Sequence, residues 1–117
     1  MKYIRLFESK DIEEITYDEF SNIGRTEFLN EFQISKIKNL LKSINTNYFL
    51  FGGTSLFQYY DILTHTKDKS VNFTVIDDYF YVNIKYFYGS SDLQNKDDFY
   101  YKCDQLSSFL KLLKQKL

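Results

Sequence analysis

An α+β fold, with helices flanking an antiparallel sheet of about four to five strands in two layers, is predicted by three features of this 117-residue chain. Residues 71–87 alternate between apolar and polar about a central Asp77-Asp78, the pattern of a hairpin whose two faces differ. Apolar residues recur at three- and four-residue spacing near 31–44 and again near 104–117, the pattern of two amphipathic helices. The length is that of one domain, and a chain of this size buries roughly two-thirds of its extended surface on folding. Residues 1–117 are therefore expected to share one core, with no linker, repeat or low-complexity tract to divide them.

The opening segment is acidic up to Glu31, and the balance reverses from Phe32 onward. Thr16 followed by Glu19 has capping-box spacing, so a short helix is expected over 17–23, closed by Gly24 in a left-handed conformation. Asn30 with Gln33 offers a second capping arrangement, and behind it Ile34, Ile37, Leu41 and Ile44 form one apolar stripe that Leu40 widens. Lys36, Lys38 and Lys42 fall mostly off that stripe and belong to solvent. Tyr48 to Phe51 predicts a strand. After Gly52-Gly53, residues 54–63 fit either a returning strand or a short helix with Leu56, Tyr60 and Leu63 on one side, and the returning strand is preferred.

In the hairpin, a two-residue loop at Asp77-Asp78 sets Val75 opposite Phe80, Phe73 opposite Val82 and Val71 opposite Ile84, so one face is wholly apolar. Ile76 then faces Tyr79, Thr74 faces Tyr81 and Asn72 faces Asn83 on the other side. Cross-strand pairs contribute about 0.2–1 kcal/mol each, too little for a free hairpin, so a helix must cover the apolar face. Residues 98–103 read as a further strand. Asp104 is expected to cap a last helix carrying Leu106, Phe109, Leu110, Leu113 and Leu117 on one side and Lys111, Lys114 and Lys116 towards its C-terminal end.

Composition excludes several classes of function. Apolar runs reach only about four residues, as in Tyr48-Phe49-Leu50-Phe51, against the roughly 20 that cross a bilayer, so no membrane span is expected. Charges within Met1 to Glu8 break up any apolar signal core, which predicts a cytoplasmic protein, or a host-cytoplasmic one if a phage encodes it. A net charge of −1 supplies no drive to neutralise phosphates, so nucleic acid is disfavoured as a partner. The single cysteine, Cys103, sits beside aromatics and is expected to be a small buried hydrophobe. The chain has neither Ala, Pro nor Trp but 11 Tyr and 12 Phe, a bias that AT-rich codons produce.

No motif assembles a catalytic or metal site, and no cofactor is expected. His65 is the sole histidine, in a polar stretch, so neither a zinc cluster nor a Ser-His-Asp triad has enough members. Asp77-Asp78 is explained by turn chemistry rather than as an acid pair. Asn72-Phe73-Thr74 matches a glycosylation sequon that, with no secretory route expected, would go unmodified. The outward hairpin face, Thr74, Ile76, Tyr79, Tyr81, Lys85 and Phe87, is the candidate interaction face, because Tyr buries a large ring while keeping a polar handle. The competing expectation is that another segment simply covers it.

Three resemblances bear on function. Phe51-Gly52-Gly53-Thr54-Ser55-Leu56 resembles the glycine-rich opening of nucleotidyltransferase-fold proteins, in which a following strand presents Asp-x-Asp to magnesium; here that strand reads Asn72-Phe73-Thr74, so both ligands are missing. Tyr79-Phe80-Tyr81-Val82-Asn83-Ile84 is similar to the base-stacking strand of RNA-recognition motifs but lacks their basic residue and glycines. Met1 to Glu8, Asp77 to Val82, and Tyr100 to Leu106 with the leucine-rich helix that follows resemble small proteins of tailed phages, which implies source and size class only. The expected function is therefore that of a non-enzymatic, phage-type accessory or adaptor protein that binds another protein, for example to inhibit a host factor. The alternatives are a self-assembling virion component and a degenerate nucleotidyltransferase-like nucleotide binder.

Overall fold

A computed structural model describes residues 11–23, 26–44, 47–52, 59–64, 68–87 and 96–117. In chain order the elements are β1 (Ile12–Glu14), α1 (Tyr17–Ser21), α2 (Glu31–Ile44), β2 (Tyr48–Gly52), β3 (Tyr60–Thr64), β4 (Lys69–Ile76), β5 (Tyr79–Phe87), β6 (Lys96–Cys103) and α3 (Leu106–Lys116). The fold is α+β. Its strands make a single antiparallel sheet in the order β1-β6-β5-β4-β3-β2, so among the described residues there are six strands rather than the four to five expected. The unforeseen one is β1. Only three residues long and bearing Glu13 and Glu14, it has no alternation of its own and is held by its register on β6, with Ile12 opposite Cys103.

The hairpin supplies the frame. Its pairs are Val75↔Phe80, Phe73↔Val82 and Val71↔Ile84 on one face, and Ile76↔Tyr79, Thr74↔Tyr81 and Asn72↔Asn83 on the other. Asp77 and Asp78 take φ of 50° and 68°, the left-handed pair that a two-residue turn matched to strand twist requires. At the end of β2, Gly52 adopts φ +104°, and a Cβ there would lie 2.5 Å from the carbonyl oxygen of Tyr59, so both the backbone angle and the close approach require glycine. Of the expected returning strand, Tyr60 to Leu63 are extended and pair with β2 and β4, while residues 53–58, like Gly24 and His65, lie outside the described residues.

Two helices cover the apolar face. Ile37 and Leu41 of α2 and Phe109, Leu112 and Leu113 of α3 meet Ile62, Val71, Phe73, Val75, Phe80, Val82, Ile84 and Cys103 in one core. Phe109 is its centre, with ring centroids 4.5 Å from Phe73 and 4.7 Å from Phe80. The capping box of α2 forms reciprocally, the N–H of Asn30 donating to Gln33 Oε1 at 2.9 Å and that of Gln33 to Asn30 Oδ1 at 2.8 Å. For α3 the expected cap is corrected. Gln105 occupies the N-cap without a side-chain bond, and the Asp104 carboxylate instead accepts the Ser108 hydroxyl at 2.6 Å. The buried stripe of α3 includes Leu112, while Leu110 is only half-buried.

The opposite face is not left bare. Helix α1, capped as expected by Thr16 through the N–H of Glu19, ends at Ser21 rather than at residue 23 and lies over β5 and β6. Phe20 is buried there, 5.9 Å from the Tyr59 ring and 5.4 Å from that of Tyr100, and Tyr17 meets Tyr100 edge-on at 5.6 Å. The chain then passes the end of the sheet, where the N–H of Glu27 donates to the Val75 carbonyl at 2.6 Å and the N–H of Leu29 to the Tyr60 hydroxyl at 2.9 Å. Glu27 also accepts the N–H of Asp77 at 2.9 Å, which fastens the hairpin tip to this strap.

Candidate functional site

The six residues of the expected interaction face all point to the side of the sheet away from α2 and α3, as their register dictates. They do not form one surface. Thr74 has no exposed area, and Asn83, between Tyr81 and Lys85 on β5, is only 4 % exposed. Helix α1 causes this division, because Phe20 and Tyr17 seat on Tyr100, the cross-strand partner of Asn83. Tyr79 and Tyr81 with half-buried Ile76 lie on one side of α1, and Lys85 with half-buried Phe87 on the other.

On the hairpin side, the rings of Tyr79 and Tyr81 follow one another along β5 with centroids 6.5 Å apart. The Lys102 ammonium stands 4.5 Å from the first and 5.8 Å from the second, a distance at which a cation is drawn to an aromatic face. Tyr79 keeps 38 % of its surface exposed. Glu13, Tyr79, Lys102 and Asp104 together border a shallow depression of about 280 Å³, so carboxylates rim an aromatic and cationic centre. Lys102 was not singled out from the sequence, yet the alternation Asp98, Tyr100, Lys102 along one strand puts it on this side once β6 is paired with β5.

On the other side of α1, a cleft of about 420 Å³ runs between the helix and the sheet. Its floor holds Asn72, Asn83, Lys85 and Asp98, and its walls are tyrosines and Phe20. Burial raises the Tyr100 hydroxyl pKa above its ordinary value, with the neighbouring Asp98 and Tyr17 adding to the effect, so this hydroxyl stays protonated well into alkali. Only the position of α1 creates this site, and nothing in the local pattern of residues 17–21 says which face of the sheet they cover.

A third feature lies at the opposite sheet edge. Strand β2 pairs only with β3 among the described residues, and its outward Phe49 and Phe51 remain 39 % and 51 % exposed with ring centroids 6.1 Å apart. Between this strand and α2 a groove of about 340 Å³ is bordered by Lys38, Lys42 and Tyr48.

Cys103, by contrast, is closed off. It is fully buried, and burial, reinforced by Asp104, pushes its thiol pKa up to about 12, so it is an inert core residue at neutral pH. No helix among the described residues is long and apolar enough to cross a membrane. In comparisons with protein-family models, curated proteins and solved structures, the chain matched none.

Proposed function

We propose that this chain is a protein-binding module, an accessory or adaptor of the tailed-phage type that engages another protein through the turn end of its hairpin. The observation that carries this is the Tyr79–Tyr81–Lys102 cluster, in which two tyrosines and a cation share one partly exposed sheet surface. Tyrosines pre-ordered on a strand contribute large contact area at low entropic cost, and a carboxylate-bearing partner would find Lys102 already positioned. The carboxylates Glu13 and Asp104 at the rim add a charge pattern that a wrong partner would not match.

Capture from host lysate followed by identification of the bound protein tests this. A Tyr79→Ala/Tyr81→Ala double variant that melts near the parent temperature should lose the captured protein, with affinity falling at least about tenfold. Undiminished capture by the variant would remove this surface from the proposal.

Self-assembly as a virion component is a second proposal, favoured by the β2 edge. The exposed Phe49 and Phe51 of this strand offer apolar area to a second copy. Light scattering over a concentration series should then show a rising mean mass that Phe51→Lys abolishes; a monomer at all concentrations sinks it. The nucleotide-binding alternative has less support. Gly52 is accounted for by its backbone angle and by Tyr59, and β4 carries Asn72, Phe73 and Thr74 where two metal-binding acids would stand.

A further inference from the structure

The floor of the cleft beneath α1 presents two amide carbonyls that the fold itself does not use. Asn72 and Asn83 are direct cross-strand partners. The Nδ2 of Asn72 donates to Asp61 Oδ1 at 2.8 Å; that of Asn83 donates to the Phe99 carbonyl at 3.2 Å and lies 3.4 Å from Asp98 Oδ1. Only an NH2 group can face those oxygens, so the amide orientations are fixed by chemistry and each Oδ1 is turned away from them. Neither Oδ1 accepts a hydrogen bond from the described residues. Asn83 is almost entirely buried, yet no fully buried side-chain polar atom among the described residues lacks a partner, so its Oδ1 must open to the cleft that it lines.

We infer that this cleft receives the guanidinium group of an arginine side chain on a partner protein. Three acceptors converge on the floor, the two amide carbonyls and the Asp98 carboxylate, and the guanidinium is the side-chain group with five N–H donors in one plane and no acceptor. The Tyr100 and Tyr17 rings at the wall offer the aromatic surface on which such a plane stacks. The local charge agrees. Among the described residues at the cleft, Asp98, and Asp61 behind Asn72, outnumber the ammonium of Lys85, so a cation is favoured over an anion. The volume, about 420 Å³, lies within the roughly 300–1,000 Å³ typical of ligand pockets.

The source of the arginine rests on the protein-binding proposal, but the chemistry of the cleft does not, since Tyr79 and Tyr81 lie on the other side of α1. The test is a titration of isotope-labelled protein with Nα-acetyl-arginine N-methylamide and with its lysine counterpart, followed through the side-chain NH2 resonances of Asn72 and Asn83. Saturable shifts are expected with the arginine probe and weaker ones with lysine. Asp98→Asn, at an exposed position, should weaken binding about tenfold. Lys85→Gln should tighten it about threefold. No saturable shift, an equal response to lysine, or the opposite effects of the two variants would overturn the inference, the last by showing that the charges of the cleft do not select a cation. A saturable arginine response with no protein captured from lysate would instead sink the protein-binding proposal and leave the guanidinium site standing.

Discussion

Cys103 shows how one residue ties the fold to pH. Its thiol has an ordinary pKa near 9.0, reached in the unfolded chain, and one of about 12 in the folded state. Between those values the unfolded state gives up a proton that the folded state keeps, so the contribution of the neutral thiol is complete below pH 9 and is lost as pH rises towards 12. The slope is up to about 1.4 kcal/mol per pH unit. Urea unfolding at pH 8 and pH 10.5 should show a fall in stability that is smaller in Cys103→Ala, and the difference between the two proteins isolates the thiol from tyrosines and lysines that titrate in the same range. Thiol reagents at pH 8 should label the parent only as fast as it unfolds. A bias towards small apolar use was already visible in the aromatic neighbours Tyr100 and Tyr101, but the size of the shift follows from the complete burial that α3 and β1 impose, with Asp104 adding to it.

Elements in this chain declare themselves in proportion to how local their stabilisation is. The start of α2 is the clearest case, since Asn30 and Gln33 satisfy each other's backbone N–H groups within one turn. Asn30→Ala should cost about 1 kcal/mol in chemical denaturation. Adding Gln33→Ala should cost less than the sum of the single changes, because the two bonds share their geometry. The β4–β5 register is equally local: a two-residue turn with both φ angles positive leaves only one alignment that keeps Phe73 and Val82 on the same side. By contrast the N-terminus of α3 does not follow its sequence cue. Asp104 sits at the end of β6, its N–H donating to the Asp11 carbonyl at 3.1 Å, so the sheet edge holds it out of the cap position and Gln105 takes that place.

At the scale of the molecule, the decisive arrangement is α1 on one side of the sheet and the two longer helices on the other. Five residues cannot form a helix that stands alone, so α1 persists through Phe20 and Tyr17 resting on Tyr59 and Tyr100. Phe20→Ala should therefore lower stability by about 1.5–3 kcal/mol. Hydrogen exchange on this variant should show α1 amides such as those of residue 20 and Asn22 losing protection while the amides of Phe73 and Val82, in the opposite core, remain among the slowest. Loss of protection spread evenly over all strands would show instead that α1 is integral to the main core. The same variant should bring the Tyr100 hydroxyl back towards its ordinary pKa, because the burial that raises it comes in large part from α1.

The amino-acid order alone determined the two long helices, the hairpin and its register, and the placing of Thr74, Ile76, Tyr79, Tyr81, Lys85 and Phe87 on one side of a sheet. Each of these depends on contacts between near neighbours, where periodicity and turn chemistry act directly. Strand β1, the strap from Glu27 to Leu29 and the seat of α1 were decided only by tertiary structure. A three-residue strand has no alternation to read, and the bonds from Glu27 to Val75 and from Leu29 to Tyr60 join positions far apart in the chain. For the same reason the candidate sites were half legible: register revealed which side the tyrosines share, but only the docking of Phe20 on Tyr100 divides that side and turns Asn72, Asn83 and Asp98 into the floor of a cleft.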